Sequence, residues 1–136
     1  MTDPVFRVLP ALDELNTFFW TGGADGKLRF LACSECAYLV HPPAPVCPKC
    51  FSRTLAPTEV SGRATVHSFT VNHQAWDGKG DRYVIALVEI EEQPDVRLTT
   101  NIIDVEPDAV EIGMRVEVAF EDHAPVFVPL FRPVSS

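Results

Sequence analysis

All four cysteines of this 136-residue chain lie in the short stretch CSECAYLVHPPAPVCPKC. Cys33, Cys36, Cys47 and Cys50 have the spacing C-x2-C-x10-C-x2-C. Each C-x2-C pair can form a tight turn that directs two thiolates at one point, and zinc prefers a tetrahedron of such ligands. We therefore predict one structural Zn²⁺ held by these four thiolates. Iron in a rubredoxin-like site is the main competitor, because the same sulfur atoms would hold it.

The predicted metal site has no room for catalysis. A catalytic zinc keeps one position open for water or substrate, whereas four thiolates fill the coordination shell. His41 lies in the linker between the cysteine pairs, and we expect an exposed or hydrogen-bonded loop histidine rather than a ligand. A thioredoxin-like redox role would need a C-x2-C pair in a βαβ setting, which neither pair has.

Charge and hydropathy restrict the partners and the compartment. The chain has 11 basic and 19 acidic residues, a formal net charge of −8, and nucleic-acid affinity comes largely from basic residues that neutralise phosphates. No apolar run approaches the ~20 residues that span a bilayer, and the first residues lack a secretory pattern. We expect a cytoplasmic protein that binds neither nucleic acid nor membrane. A reducing cytosol also disfavours disulfides, which supports a metal site.

Hydrophobic periodicity predicts a mainly β fold in three segments. They are an N-terminal helical segment (1–26), a rubredoxin-like zinc ribbon (27–58) and a five-stranded OB-fold barrel (59–136). The helix is predicted over 10–21, where leucines and aromatic residues share one face. The barrel strands are predicted over 62–73, 83–90, 95–105, 115–122 and 125–133.

Apolar side chains exceed what so small a fold can bury. Phe18, Phe19 and Trp20 are consecutive, so packing on the chain's own body and contact with a partner are about equally supported. In the last strand, Phe127 and Phe131 lie between prolines with Leu130, and the three cannot all face one small core. We therefore name Phe18, Phe19, Trp20, Phe127 and Phe131 as candidate partner contacts.

A second set of candidates surrounds the loop after the first barrel strand. Strict alternation places His67, Phe69, Val71 and His73 on one side of that strand and Val66 on the other. The loop QAWDGKGDR could touch a ligand or a partner, and its cations could meet phosphates. A mobile polar hairpin is the alternative. The candidates here are His73, Trp76, Lys79 and Arg82.

The sequence contains no self-contained catalytic set. A G-x-S-x-G turn is missing, the cysteines are taken by metal, and TGGADGK lacks the Walker spacing. Carboxylates cluster in EIEEQPD and FEDH, which we interpret as solvated surface.

The order of the motifs resembles one known family. An aromatic helix, the cysteine ribbon, SGRATVHSFTVNH, YVIALVEIEE, RLTTNI, IGMRVEVAFED and PLFRP follow one another over roughly residues 15 to 133. They resemble the acyl-CoA-associated family with a rubredoxin-like zinc ribbon and an OB-fold, long called a domain of unknown function. That family often has glycine after the second cysteine of each pair, which eases a positive-φ turn. Here Ala37 and Phe51 occupy those positions, so the geometry of both turns is in question.

The resemblance implies a non-catalytic subunit of a thiolase-superfamily enzyme. Members accompany enzymes that make or break carbon–carbon bonds next to a CoA thioester, including aldolases that degrade sterol side chains. TVNHQAW and EIEEQPDVRLTTNI are most similar to the branch whose catalytic chain resembles a lipid-transfer-protein thiolase. The implied assembly is a heterotetramer around a thiolase dimer, with acyl-CoA at or near the shared site.

Our leading hypothesis is an accessory subunit of a retro-aldolase that cleaves a β-hydroxyacyl-CoA, with a steroid side chain among the candidate acyl groups. Two alternatives stay open. One is a nucleic-acid-binding ribbon and OB protein, which the net charge opposes. The other is a stand-alone acyl-CoA-binding or hydrolytic protein, which the lack of a nucleophile opposes.

Overall fold

The computed structural model describes residues 8–73 and 82–134. A short helix α1 (Thr17–Thr21) continues into a 3-10 turn at Gly22–Asp25. Strands follow within the described ranges: β1 (Arg29–Cys33), β2 (Leu39–Val40), β3 (Leu55–Glu59), β4 (Arg63–Asn72), β5 (Tyr83–Ile90), β6 (Gln93–Ile102), β7 (Arg115–His123) and β8 (Val126–Pro133).

The first three strands form the ribbon sheet, in the order β2-β1-β3. Strand β3 was not anticipated, because its LAPTE sequence has neither strict alternation nor a β-branched run. It nevertheless pairs with β1 along its whole length, from Arg29 opposite Glu59 to Cys33 opposite Leu55. The tertiary partner therefore determines this strand, and its own propensity does not.

The remaining strands form a closed barrel in the order β4-β5-β6-β8-β7. Its neighbours are antiparallel except for β6 and β8, which run parallel where Ile102 faces Phe131. A 3-10 turn at Pro107–Ala109 lies in the connection from β6 to β7. This is the connectivity of a five-stranded OB-fold. The predicted fold class, a mainly β chain with a ribbon and a five-stranded barrel, is confirmed, while the three segment boundaries stay a prediction.

One continuous hydrophobic core joins the ribbon to the barrel. Phe30 from the ribbon and Phe131 from the barrel are both fully buried and belong to the same cluster. Leu28 and Phe19 extend this cluster towards the N-terminus at 2% and 3% exposure. The ribbon therefore shares its packing with the barrel.

The predicted helix over 10–21 is wrong at its N-terminal half. The Asp13 carboxylate accepts hydrogen bonds from the backbone N–H groups of Leu15 and Asn16, and Asn16 Oδ1 accepts one from the Asp13 N–H. These side chains compete with helix formation and favour a turn. The helix begins only after them, and Leu12 and Leu15 stay exposed.

The strict alternation predicted for β4 is also wrong. The pairing register between β4 and β5 shifts between Val66 and Ser68, which marks a β-bulge at His67. A bulge adds one residue and reverses the facing of everything beyond it. Phe69 and Val71 therefore pack on the same core as Val66, and His67 is exposed.

Candidate metal centre and candidate contact surfaces

The four cysteine sulfurs lie within 4.8 Å of one another. The Sγ atoms of Cys33 and Cys50 are 3.5 Å apart, and those of Cys36 and Cys47 are 3.7 Å apart. Four thiolates at a zinc–sulfur distance of about 2.3 Å would be separated by about 3.8 Å at the corners of a tetrahedron. The sulfur positions thus fit a metal ion with four thiolate ligands.

Two nearly identical turns deliver these sulfurs. In the first, the N–H of Ala37 donates to the carbonyl of Cys33 at 2.9 Å, and the N–H of Cys33 donates to Tyr38. In the second, Phe51 donates to Cys47 and Cys47 donates to Ser52, again at 2.9 Å. The repeated spacing therefore produces a repeated backbone structure, which the sequence predicted.

Both turns reach this geometry without glycine. Ala37 and Phe51 each have a φ of 64°, in the left-handed region that disfavours a side chain. The question that the missing glycines raised is therefore answered, because the turns close and their backbones carry the strain. The backbone hydrogen bonds within each turn offset part of this strain.

Backbone donors favour the thiolate form of two ligands. Burial opposes ionisation of Cys33, but the N–H groups of Cys36 and Glu35 and the Cys50 sulfur outweigh it and lower the pKa of Cys33 to about 6. At Cys47, burial again opposes ionisation, but hydrogen bonds from the backbone N–H groups of Cys50 and Lys49 outweigh it and lower the pKa. The backbone N–H groups of Tyr38 and Ser52 act in the same direction on Cys36 and Cys50, but burial and the neighbouring sulfurs outweigh them and raise the pKa of these two thiols, so binding of a metal to all four sulfurs would release their protons.

His41 does not behave as an ordinary loop histidine. The ring lies 5.0 Å from the ring of Phe19 and 4.9 Å from that of Phe30, centroid to centroid. Its Nδ1 is buried and has no hydrogen-bond partner among the described residues. Burial lowers the pKa of His41 to about 4. The expectation of an exposed or hydrogen-bonded side chain is therefore wrong, because the ring packs against the aromatic side chains of the core.

The five aromatic residues named as candidate partner contacts differ in how far they are buried. Phe19 and Phe131 are 3% and 0% exposed, so their side chains pack on the chain's own core and offer no surface to a partner. For these two the expectation is wrong. Phe18 and Trp20 pack only partly against the same core, and Phe127 is half-buried, so all three retain surface. The geometry allows partner contact by these three, which stays a prediction.

The candidates around the loop are only partly described. Trp76 and Lys79 lie outside the described residues. His73 is exposed just beyond β4. The guanidinium of Arg82 donates to both carboxylate oxygens of Asp108, at 3.0 and 3.4 Å, and this carboxylate raises the pKa of Arg82. A phosphate would have to compete with Asp108 for that side chain.

Sequence reasoning missed the roles of two carboxylate clusters. In FEDH, Glu121 Oε1 lies 2.6 Å from Nε2 of His123, and both side chains are about one-fifth exposed. In EIEEQPD, Glu92 accepts a hydrogen bond from the N–H of Ser61, and Glu91 pairs with Arg63 at 3.1 Å. The interpretation of both motifs as solvated surface is therefore incomplete. The contact in FEDH could have been predicted, because residues two apart on a strand lie on the same face and Glu121 precedes His123 by two.

Comparison with known proteins identifies a family that has this combination of zinc ribbon and OB-fold. Residues 20–56 match the family model described as the ChsH2 rubredoxin-like zinc ribbon domain, and residues 57–121 match the ChsH2 C-terminal OB-fold domain. A chain of the solved Ltp2-ChsH2(DUF35) aldolase is 35% identical, with a TM-score of 0.82 over 92% of this chain and 98% of that chain. This chain belongs to the ChsH2 (DUF35) family. The resemblance inferred from the order of the motifs is confirmed.

Two curated relatives indicate where such chains occur. A probable enoyl-CoA hydratase alpha subunit of Thermomonospora curvata is 36% identical over 93% of this chain, which spans only 40% of that subunit. A DUF35 domain-containing scaffold protein of Methanothermobacter thermautotrophicus is 36% identical over 65% of this chain and 67% of its own length. Members of the ChsH2 (DUF35) family thus include scaffold proteins and segments of enzyme subunits.

The helices of the described residues were compared with the length and hydropathy of a membrane-spanning helix. Across 8–73 and 82–134, no helix combines the length and the apolar character that a bilayer crossing requires.

Proposed function

We propose that this chain is a non-catalytic accessory subunit that docks on a thiolase-like catalytic subunit. The observation that carries the proposal is the likeness to a chain of the Ltp2-ChsH2(DUF35) aldolase, which extends over 98% of that chain at 35% identity. Across the described residues the cysteines all belong to the metal cluster, which leaves no thiol nucleophile. An accessory role agrees with both observations.

The proposed reaction of the complex is retro-aldol cleavage of a β-hydroxyacyl-CoA. A base takes the proton of the β-hydroxyl group, the bond between Cα and Cβ breaks, and its electron pair moves to the thioester enolate, which is then protonated at Cα. The products are a carbonyl compound and a shortened acyl-CoA. The catalytic subunit would supply the base and the donors that stabilise the enolate oxygen. This chain would order that subunit and shape the entrance for the thioester.

The proposed ion is a single structural Zn²⁺ on Cys33, Cys36, Cys47 and Cys50. The sulfur spacing and the match to a rubredoxin-like zinc ribbon support it. When bound, zinc supplies a cross-link and no reactive position. The four thiolates would hold β1 and the two turns in one rigid unit beside the barrel.

Co-expression tests the proposal. The chain would be produced with the thiolase-like protein encoded nearest to its gene, and a set of β-hydroxyacyl-CoA thioesters, steroid side-chain thioesters included, would be screened for carbonyl release. We expect a stable heterotetramer by light scattering, and cleavage only when both chains are present. A catalytic subunit that is fully active alone, with this chain left monomeric in the same mixture, would contradict the proposal.

A second candidate is an accessory role in an enoyl-CoA hydratase. The 36% identity to a hydratase alpha subunit over 93% of this chain favours it. A hydratase adds water across the double bond of an enoyl-CoA, so the assay is loss of enoyl absorbance with a co-expressed hydratase-like subunit. Hydration without carbonyl release would support this candidate over the aldolase.

A further inference from the structure

Phe51 projects from the tip of the second cysteine turn. Its side chain is 76% exposed, and its backbone has a φ of 64°. The left-handed region crowds the Cβ of every residue except glycine. Phenylalanine at this position therefore strains the backbone and buries little apolar surface in return. Folding alone would favour glycine there.

The first cysteine turn provides an internal comparison. Ala37 occupies the equivalent position, has the same φ of 64°, and donates the equivalent hydrogen bond at 2.9 Å. The first turn thus closes without an aromatic ring. The ring of Phe51 is therefore not required by the turn or by the sulfur geometry.

Basic side chains flank the exposed ring. Lys49 and Arg53 are exposed on either side of Phe51 in the sequence. The ammonium group of Lys49 lies 5.2 Å from the centre of the Tyr38 ring. Within the described ranges, Arg53 forms no ion pair. Two exposed cations therefore flank the aromatic ring on a chain with a net charge of −8, beside a cluster to which four thiolates and one Zn²⁺ would give a charge of −2.

We propose that Phe51 is an anchor of the interface with the catalytic subunit. Its ring would enter an apolar pocket on that subunit, and carboxylates at the rim of the pocket would meet Lys49 and Arg53. A few buried aromatic anchors carry most of the affinity of an interface, and rim charges set its orientation and salt dependence. The inference rests on the proposed function, because it needs a catalytic subunit as the occupant.

The position next to the metal cluster adds a second consequence. Cys50 precedes Phe51 and is one of the two exposed cysteines, whereas Cys33 and Cys47 are buried. A subunit docked on Phe51 would cover Cys50. Chelators should therefore remove the metal more slowly from the complex than from the free chain.

The decisive experiment compares two glycine substitutions. Phe51→Gly and Ala37→Gly remove the same backbone strain, but only the first removes a ring. Both variants should melt at or above the wild-type temperature. Titration against the purified thiolase-like subunit should show Kd at least tenfold weaker for Phe51→Gly and unchanged for Ala37→Gly. The double variant Lys49→Gln/Arg53→Gln should also bind more weakly, with a smaller dependence on salt than the wild type.

Each other outcome overturns the assignment. If Phe51→Gly folds and binds with the wild-type Kd, Phe51 is not an anchor, although the accessory role stands. If Phe51→Gly leaves Kd unchanged but raises the KM for the acyl-CoA in the assembled complex, the ring contacts the substrate and not the subunit. If the wild-type chain forms no complex at all, the proposed function fails and the assignment fails with it. An equal loss of metal to chelator in the free and bound chain places the interface elsewhere.

Discussion

At the residue scale, the structure departs most from expectation at His41. The ring sits against Phe19 and Phe30 with its Nδ1 buried and unpartnered among the described residues. A buried polar atom without a partner costs about 1–3 kcal/mol of stability. Sequence alone does not reveal this environment, because both aromatic neighbours come from other elements.

The depressed pKa of His41 makes stability depend on pH. The pKa is about 4 in the folded chain against 6.5 for the unperturbed side chain, so the unfolded state binds the proton more tightly between these values. Stability is therefore lost as pH falls from 6.5 towards 4, by about 3 kcal/mol in total. Chemical denaturation at several pH values, with metal content monitored, should show this slope. Nuclear magnetic resonance titration of the ring should give a midpoint near 4.

The variant His41→Phe tests the same environment. It keeps an aromatic ring in the cluster but removes the unpartnered nitrogen and the titrating group. We expect equal or higher stability at pH 7 and a flatter slope between pH 6.5 and 4. A ring that titrates near 6.5 in the wild type, or a variant with an unchanged slope, would be inconsistent with burial of the imidazole.

At the element scale, the ribbon sheet is small and the segment after α1 packs closely on the barrel. The ribbon sheet contains only the short strands β1, β2 and β3, and β2 has two residues. Gly23, in the 3-10 turn after α1, lies directly against the hairpin of β7 and β8. An added Cβ there would come within 2.5 Å of both the Phe120 ring and Phe127 Cβ.

Metal removal should unfold the ribbon. A chelator, or the substitution Cys47→Ser, removes a cross-link that can contribute on the order of 10 kcal/mol to folding. We expect loss of the ribbon amide signals, a large fall in melting temperature and, because the core is shared, weaker protection of the barrel amides. Ser34→Ala, an exposed change inside the first cysteine turn that leaves all four ligands in place, is the control and should keep both the metal and the melting temperature. A chain that keeps its ribbon signals after complete metal loss would contradict a structural role.

The substitution Gly23→Ala should loosen the N-terminal segment from the barrel. The new methyl group would push against Phe120 and Phe127, and such overpacking costs about 1–3 kcal/mol. Urea denaturation should show this loss, whereas Ala24→Ser on the exposed side of the turn should be nearly neutral. An unchanged midpoint for Gly23→Ala would mean that the segment does not pack closely on the hairpin.

At the scale of the whole molecule, one core serves both sheets. Phe30 of the ribbon and Phe131 of the barrel are fully buried in the same cluster. Ribbon and barrel should therefore unfold together rather than in separate steps.

The substitution Phe131→Ala tests this coupling. Truncating a fully buried phenylalanine costs about 3–5 kcal/mol. Hydrogen exchange should show the same loss of protection in ribbon amides as in barrel amides. Phe127→Ala, a half-buried neighbour on the same strand, should cost clearly less. Loss of protection confined to the barrel would show that the two sheets have independent stability.

The sequence by itself determined the features that depend on local spacing. The cysteine spacing predicts the clustered sulfurs, because each C-x2-C pair can close its own turn. The apolar run YVIALVEI predicts β5 at its observed bounds, and the net charge opposes a nucleic-acid function. The order of the motifs indicates the family, which the comparisons confirm.

Tertiary structure alone decided the features that depend on distant partners. Strand β3 exists because β1 pairs with it, and Phe69 faces the core because a bulge at His67 shifts the pairing of β4 with β5. The sequence pattern predicted that Phe131 would be available for contact with a partner. It is buried because β8 lies between β6 and β7 in the barrel. Burial belongs to the assembled fold and not to a residue's neighbours in sequence, so side-chain pattern could not supply it.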